Sequence, residues 1–330
     1  MASVAASVEA IVQAAGPHVP VLLARVEERL VELAGGHGPV LAEHAGATIA
    51  AGGKRLRPLL VLLAAGPPGA EAPAIVPAAA AVELVHSATL VHDDVLDSAS
   101  LRRGLPTVWA TGGRALAVAT GDLLFSRAFS ELAATGSVAS VRALSRASSA
   151  LAEGELLQRQ DAWNAAVAVD RYLYRCELKT ARLFEASCEL GALAAGRQNG
   201  TVARLGAFGR GVGLAFQLLD DVLDVSGSAS NTGKHRGTDL LDGTVTLPLI
   251  LARERDAELA GMDLRREIVT PEQAEALCER IEATGALVDA QARALAIVAE
   301  AKVQLNGLAL EGGQRTALEL VADSVVDRQS

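Results

Sequence analysis

Two apolar runs with helical spacing end in the same acidic pattern, D-D-x-x-D, and this pairing limits what the chain can become. Residues 81–107 read AVELVHSATLVHDDVLDSASLRRGLPT, with carboxylates at Asp93, Asp94 and Asp97 and a basic turn at Arg102, Arg103 and Gly104. On a helix, Asp93 and Asp97 lie one turn apart on one face, and His86 lies two turns before Asp93 on nearly the same face. Asp94 sits about 100° round the axis from Asp93. Residues 213–224 read GLAFQLLDDVLD and repeat the pattern at Asp220, Asp221 and Asp224, with Gln217 on the same side as Asp220. Carboxylates crowded at the end of an apolar helix repel one another and are costly to desolvate, so they need a compensating charge. Mg²⁺ supplies it naturally, because it takes one or two carboxylates, keeps waters and fills its other positions with substrate phosphate. A lone motif of this kind also fits a solvated acidic helix end. Two copies, 127 residues apart from Asp93 to Asp220, favour two carboxylate helices that hold a polyphosphate through metal.

The rest of the chain reads as helix throughout. Its 330 residues are 50% hydrophobic but only 3% aromatic, and the apolar content is mostly Ala, Leu and Val, which favours helix over sheet. No run alternates in the manner of a strand, and no repeat of 20–50 residues appears. The expected fold class is all-α, a single domain over 1–330, with N-terminal helices in residues 1–50 serving packing or a subunit interface. The net charge of −9 argues against nucleic acid as a partner. Cys176, Cys188 and Cys278 have no metal-site spacing and are odd in number, so they read as reduced thiols and the compartment as cytoplasmic. No signal peptide is expected, and no stretch of 18 apolar residues free of charge and proline suggests a membrane span.

Positive charge is placed selectively. Arg dominates, and only four lysines occur, Lys54, Lys179, Lys234 and Lys302. Gly52-Gly53-Lys54-Arg55-Leu56-Arg57-Pro58 combines a free backbone, a helix start and three cations, the ingredients of an anion grip. Lys179 and Thr180 fall in the middle of the helical run 170–196, where a buried ammonium needs a partner such as diphosphate. Gly121 and Asp122 are expected to open a helix, and another is expected over 138–161. Residues 226–243, SGSASNTGKHRGTDLLDG, read as one long flexible loop after the second acidic motif, suited to ordering over phosphate.

Taken in order, GGKRLRP, HSATLVHDDVLDSASLRRGLPT, GD, KT, FQLLDDVLD and GK…GTDL…TLP resemble the trans-isoprenyl diphosphate synthase (polyprenyl synthetase) family. The resemblance runs from Gly52 to Leu249. It implies an isoprenoid-synthase-type helical bundle around a central cavity, usually a homodimer. It also implies that Asp93, Asp94, Asp97 and Asp220 hold three Mg²⁺ on an allylic diphosphate, with Asp221 and Asp224 more peripheral. Arg102, Lys179, Thr180, Gln217 and Lys234 would contact that substrate, Lys179, Thr180 and Gln217 nearest the chemistry. Lys54, Arg57, His86 and Arg103 would hold isopentenyl diphosphate. Asp242-Gly243-Thr244 departs from the family's usual Glu-Gly-Lys, and His235 stands where Pro is common.

Product length in this family follows the depth of the cavity beneath the first aspartates. Ala88 and Thr89, one turn back, are small where short-chain members commonly carry an aromatic. One helical turn advances about 5.4 Å, roughly one isoprene unit, so an open first turn suggests C30–C50 products, with C20 as the alternative if Phe125, Phe129 or Phe184 closes the floor. Terpene cyclases share D-D-x-x-D but usually carry an Asn/Ser/Glu second motif and lack the Lys54, Arg57 and His86 cluster. A non-catalytic partner subunit would typically have lost the aspartates, whereas a catalytic subunit that needs a small partner stays open. A long apolar product also makes peripheral membrane contact an expectation.

Overall fold

Gly16 and Pro17 split the N-terminal stretch into two helices, Ala2–Ala15 (α1) and His18–Ala34 (α2). In α2 the buried positions Val19, Leu22, Val26, Leu30 and Leu33 recur every three or four residues, the stripe that a half-buried helix requires. The computed structural model describes residues 2–227 and 236–326. Pro39–Ala50 (α3) and Leu56–Gly69 (α4) follow, then Ile75–Leu96 (α5), which carries the first acidic motif.

Helix α5 is buried almost all round, at Ala78 to Val85 and again at Ala88 and Val91. By length and composition it could cross a membrane, but most of it is buried inside the protein, as befits a core helix that also carries Glu83 and His86. After it, the all-helical expectation needs one small correction. Leu101–Arg102 (β1) and Leu105–Pro106 (β2) pair antiparallel, with Leu101 opposite Pro106 and Arg102 opposite Leu105. Arg103 and Gly104 between them have φ of 54° and 77°, the left-handed pair that a tight hairpin turn needs.

Thr107 caps the next helix, Val108–Ala134 (α6), accepting a hydrogen bond from the Ala110 amide at 3.1 Å. Gly121 and Asp122 therefore lie within α6 rather than opening it. The break in α6 comes earlier, at Gly113, whose φ and ψ are 74° and 177°. Gly121 has a packing reason instead: a Cβ there would stand 2.1 Å from His92 Nε2. Val138–Asp161 (α7) matches the expected 138–161. The expected run 170–196 is three pieces, Val169–Cys176 (α8), a π-helical turn at Glu177–Ala181 and Arg182–Ala194 (α9). Asn199–Ser226 (α10) carries the second acidic motif.

Within 226–243, residues 228–235 lie outside the described residues, and with them Lys234 and His235. Thr238–Leu241 is a short helix, which corrects the expectation of loop to residue 243. The remaining helices are Leu247–Arg255, Ala257–Gly261, Leu264–Glu267, Pro271–Ala283, Ala286–Val303 and Gln314–Val326. Thr270 and Gln273 start Pro271–Ala283 with a reciprocal capping box.

The chain separates into two compact units. The first comprises Met1–Ser148, Leu183–Gly209 and Leu305–Leu320. In it α5 packs along α6, α4 and α2. The second comprises Ser149–Arg182, Arg210–Gln304 and Val321–Ser330, where Leu247–Arg255 packs on Ala286–Val303.

Close helix approach in the first unit depends on Gly191 of α9. A Cβ there would stand 2.0 Å from the Val61 carbonyl oxygen of α4, and backbone cannot step aside as a side chain can. Gly191→Ala should destabilise the protein by about 1–3 kcal/mol, the usual cost of overpacking. Urea unfolding measures it; an unchanged midpoint would show that the helices are not pressed together there.

Candidate active site in two half-sites

In the first unit, α5 ends in its acidic motif as a matter of helix geometry. Asp97 is the C-cap residue, its amide donating to the Asp93 carbonyl at 2.8 Å. Asp93 is half-buried, Asp97 exposed and Asp94 buried. Asp94 turns to the hairpin, where Arg102 Nε donates to its Oδ1 at 2.7 Å. Burial pushes the Asp94 carboxyl up, and the Arg102 charge opposes that shift. The accessible carboxylates of this motif are therefore Asp93 and Asp97, one turn apart.

The glycine-rich turn and the hairpin bring cations to the same part of the unit. Gly52 and Gly53 have φ of 69° and 155°, conformations that L side chains rarely adopt. The Arg103 guanidinium lies against Gly53, whose absent Cβ would stand 3.0 Å from Arg103 Nη1. Among the described residues no carboxylate hydrogen-bonds Arg103. Arg57 stacks its guanidinium 4.7 Å from the ring centre of Phe184, a cation–π contact. His86 sits among these groups. Burial, and then the charges of Arg57, Arg103, Arg102 and Arg55, hold its basicity well below the ordinary histidine value, so it is neutral near pH 7. Glu83, His86, Ser87, Asp94, Arg102 and Arg103 all line a cavity of about 370 Å³. Lys54 is exposed at the start of the turn.

The second unit gathers carboxylates instead. Asp220 is exposed, Asp224 half-buried and Asp221 only 3% exposed. Asp221 is held from two sides, by Tyr172 Oη to Oδ2 at 2.6 Å and by Gln217 Nε2 to Oδ1 at 2.7 Å. Thr180 Oγ1 donates to Gln217 Oε1 at 2.6 Å. A continuous chain of bonds thus runs from Thr180 through Gln217 and Asp221 to Tyr172. Burial pushes the Asp221 carboxyl up to about 7; Tyr172, Gln217 and Arg175 oppose that shift and the Asp220 charge adds to it. Asp224 accepts the amides of Thr238 and Asp239 at 3.2 and 3.1 Å. Asp239 is driven well above the usual carboxylate range, first by burial and then by Asp224, Asp221, Asp220 and Asp242.

Lys179 lies in the π-helical turn, a geometry that concentrates at functional sites. Its partner is a protein carboxylate, Glu155 Oε2 at 2.5 Å. Helix α7 comes this close because residue 154 is glycine: a Cβ there would stand 2.6 Å from the Lys179 amide nitrogen. The departure at Asp242-Gly243-Thr244 is tied down locally. The Trp163 amide donates to the Gly243 carbonyl at 2.8 Å, and the Thr244 amide to the Asp239 carbonyl at 2.8 Å.

The donor sets suit Mg²⁺ of the substrate-completed kind. Among the described residues no three His, Cys, Asp or Glu side chains form a closed cage. What they offer is one or two accessible carboxylates in each unit, with crowded negative charge behind Asp220 that a divalent cation would relieve.

Ala88 is fully buried, and Thr89 bonds its hydroxyl to the His86 carbonyl at 2.8 Å. Phe125 stacks on His92 with ring centres 5.8 Å apart. Residues that sequence reasoning passed over are Tyr172, Glu155, Asp239 and the partners of Arg55. Asp239 carried a signal, since it follows the second motif within GTDL. The others are joined to the site only by long-range contacts.

A family model described as "Polyprenyl synthetase" matches residues 39–283. The chain is 43% identical over 230 residues to the heptaprenyl diphosphate synthase component 2 of Geobacillus stearothermophilus, covering 70% of this chain and 72% of that one. It is 35% identical over 284 residues to a geranylgeranyl diphosphate synthase of Methanosarcina mazei, covering 84% and 87%. Its fold matches the polyprenyl synthase of Caulobacter crescentus, solved with calcium and isoprenyl diphosphate, with a TM-score of 0.88 at 37% identity over 94% of this chain and 96% of that one.

The raised Asp221 carboxyl has a signed consequence. Its folded value of about 7 lies above the ordinary 3.8, so the folded state binds more protons between those limits. Stability from this group is full below pH ~4 and is lost as pH rises through ~7. In chelator, Asp221→Asn should therefore gain stability relative to the parent chain between pH 5 and pH 8, measured by urea unfolding. A difference that does not change with pH would show that Asp221 ionises normally.

Proposed function

The chain belongs to the polyprenyl synthetase family, and on that premise we propose that it joins isopentenyl diphosphate to an allylic prenyl diphosphate, repeatedly, to make a long all-trans product. One observation carries this reading: beside the first acidic motif, His86, Arg102 and Arg103 line one cavity, and among the described residues no carboxylate hydrogen-bonds Arg103. A terpene cyclase has a single diphosphate to hold, on metal. A second, cationic grip that does not consist of carboxylates suits a second diphosphate substrate.

Each side chain then has work suited to its chemistry. Lys54, Arg57, Arg103 and neutral His86 bind the diphosphate of isopentenyl diphosphate through charge-assisted bonds. Asp93, Asp97 and Asp220 would be the ligands for Mg²⁺ on the allylic diphosphate, with Asp221 and Asp224 behind Asp220 and with Asp94 fixing Arg102. The metal, when bound, neutralises charge growing on the departing diphosphate. Arg102 and Lys179 add positive charge to that leaving group, as Lys234 does from outside the described residues. Lys179 must exchange Glu155 for phosphate to do so. The C–O bond of the allylic substrate breaks, the double bond of isopentenyl diphosphate attacks the resulting allylic cation to form the new carbon–carbon bond and a tertiary cation, and loss of the neighbouring proton to the departed diphosphate leaves a new double bond. Thr180 and Gln217 present dipoles to the cation, oriented by the chain of bonds that ends on Tyr172.

We rest product length on Ala88 and Thr89, which are themselves small side chains at the first turn below the aspartates. We favour C30–C50, in keeping with a relative named as component 2 of a heptaprenyl diphosphate synthase; the Methanosarcina relative supports C20 as the second reading. We further propose a cytoplasmic homodimer that touches membrane peripherally when its product leaves. The name "component 2" carried by the Geobacillus relative favours testing a partner subunit as well.

The purified protein with Mg²⁺, labelled isopentenyl diphosphate and farnesyl or geranylgeranyl diphosphate should give a ladder of products ending at C30 or beyond. A stop at C20 would keep the reaction and overturn the long-chain reading. Chelator should abolish incorporation and Mg²⁺ restore it. Ala88→Phe should shorten the longest product by several isoprene units, read on the dephosphorylated alcohols; an unchanged ladder would show that Ala88 does not line the channel.

A further inference from the structure

Between Lys54 and Arg57, the two cations assigned to isopentenyl diphosphate, stands a third whose guanidinium is taken up by protein carboxylates. Arg55 is the N-cap residue of α4 and has φ 45° and ψ 36°, a left-handed conformation unfavourable for any residue with a Cβ. Such a backbone persists only where its surroundings enforce it. Here the enforcement comes from the Arg55 side chain, which is 11% exposed.

Its guanidinium uses its whole fork. Nε and Nη2 donate to the two carboxylate oxygens of Glu27, at 2.5 and 3.0 Å. Nη1 donates to Glu83 Oε1 at 2.8 Å, and Nη2 also to the Ile49 carbonyl at 2.9 Å. One side chain thereby ties α2, the end of α3 and α5 to the glycine-rich turn. Glu83 is 4% exposed and lies one helical turn before His86. Its other carboxylate oxygen, Oε2, is buried and takes no hydrogen bond in the described structure, so Arg55 is the hydrogen-bonding partner that this buried charge has. Arg55 lines the same cavity as His86, Arg102 and Arg103, but its donors are occupied by the two carboxylates and the Ile49 carbonyl, which gives it a role other than holding phosphate.

We propose that Arg55, clamped by Glu27 and Glu83, is a positioning residue for the isopentenyl diphosphate half-site: it locks the left-handed turn so that Lys54 and Arg57 leave it in fixed directions, and it fixes α5 at Glu83 so that His86 keeps its register with them. The inference rests on the assignment of Lys54, Arg57, His86 and Arg103 to isopentenyl diphosphate. Arg55 does not touch substrate in this account. The planar fork is what matters, because an ammonium cannot serve two carboxylates and a carbonyl with the same fixed geometry.

The test is steady-state kinetics of the full chain with each substrate varied in turn, alongside thermal melting. Arg55→Lys keeps the charge and loses the fork. It should raise KM for isopentenyl diphosphate on the order of tenfold or more, since misplaced binding groups cost heavily, while KM for the allylic diphosphate stays within about twofold. Glu27→Gln changes a half-exposed partner that lies outside every substrate contact. It should show the same split at about threefold, and it decides the matter if Arg55→Lys does not fold. Equal rises in both KM values, or a lowered melting temperature with no change in either, would overturn the proposal. Failure of the parent chain to incorporate isopentenyl diphosphate would instead count against the underlying reading, so the two failures are told apart.

Discussion

Like charges brought together where water is scarce must either be neutralised from outside or be held apart by covalent and hydrogen-bonded structure, and both devices operate in this protein. In the first unit, burial and then the charges of Arg57, Arg103, Arg102 and Arg55 depress the basicity of His86. Glu27, Glu83 and Asp94 answer Arg55 and Arg102, and Phe184 faces Arg57. In the second unit, burial and then the charges of Asp224, Asp221, Asp220 and Asp242 push Asp239 up. The first arrangement attracts an anion and the second a cation. Under the proposed function, a diphosphate would complete the first and a divalent metal the second.

Much of this was legible in the sequence because it is local. The helix at Val138–Asp161, the N-terminal pair broken at Gly16-Pro17 and the two acidic helix ends follow from periodicity and from glycine or proline punctuation. The failures have local causes too. Gly121-Asp122 looked like a helix start, but Gly121 is small to admit His92 from α5, and the start belongs to Thr107. The two-residue strands were too short to alternate, though Arg103-Gly104 held the turn signal. The 170–196 run concealed a π-helical turn, because its residues Glu177–Ala181, ELKTA, include no glycine or proline to mark the change.

The long-range partners were not legible. Nothing in the spacing says that Glu155 would hold Lys179, that Tyr172 would reach Asp221 49 residues away, or that Glu27 and Glu83 would share Arg55. These pairings are properties of helix packing. They also place the partners of the predicted residues: Asp94 bonds Arg102, Lys179 pairs with Glu155, and Arg55 of the basic turn is bound by Glu27 and Glu83. The ordered set of motifs nevertheless led to the polyprenyl synthetase family, because six short patterns in a fixed order exclude far more than any one of them does.

The central claim is that one diphosphate is held by cationic side chains and does not need metal. Calorimetric titration of isopentenyl diphosphate into the protein in chelator tests it most directly. The account predicts binding at one site per chain without Mg²⁺, weakened by raised salt and lost in Arg103→Ala. Binding that appears only when Mg²⁺ is added would contradict it.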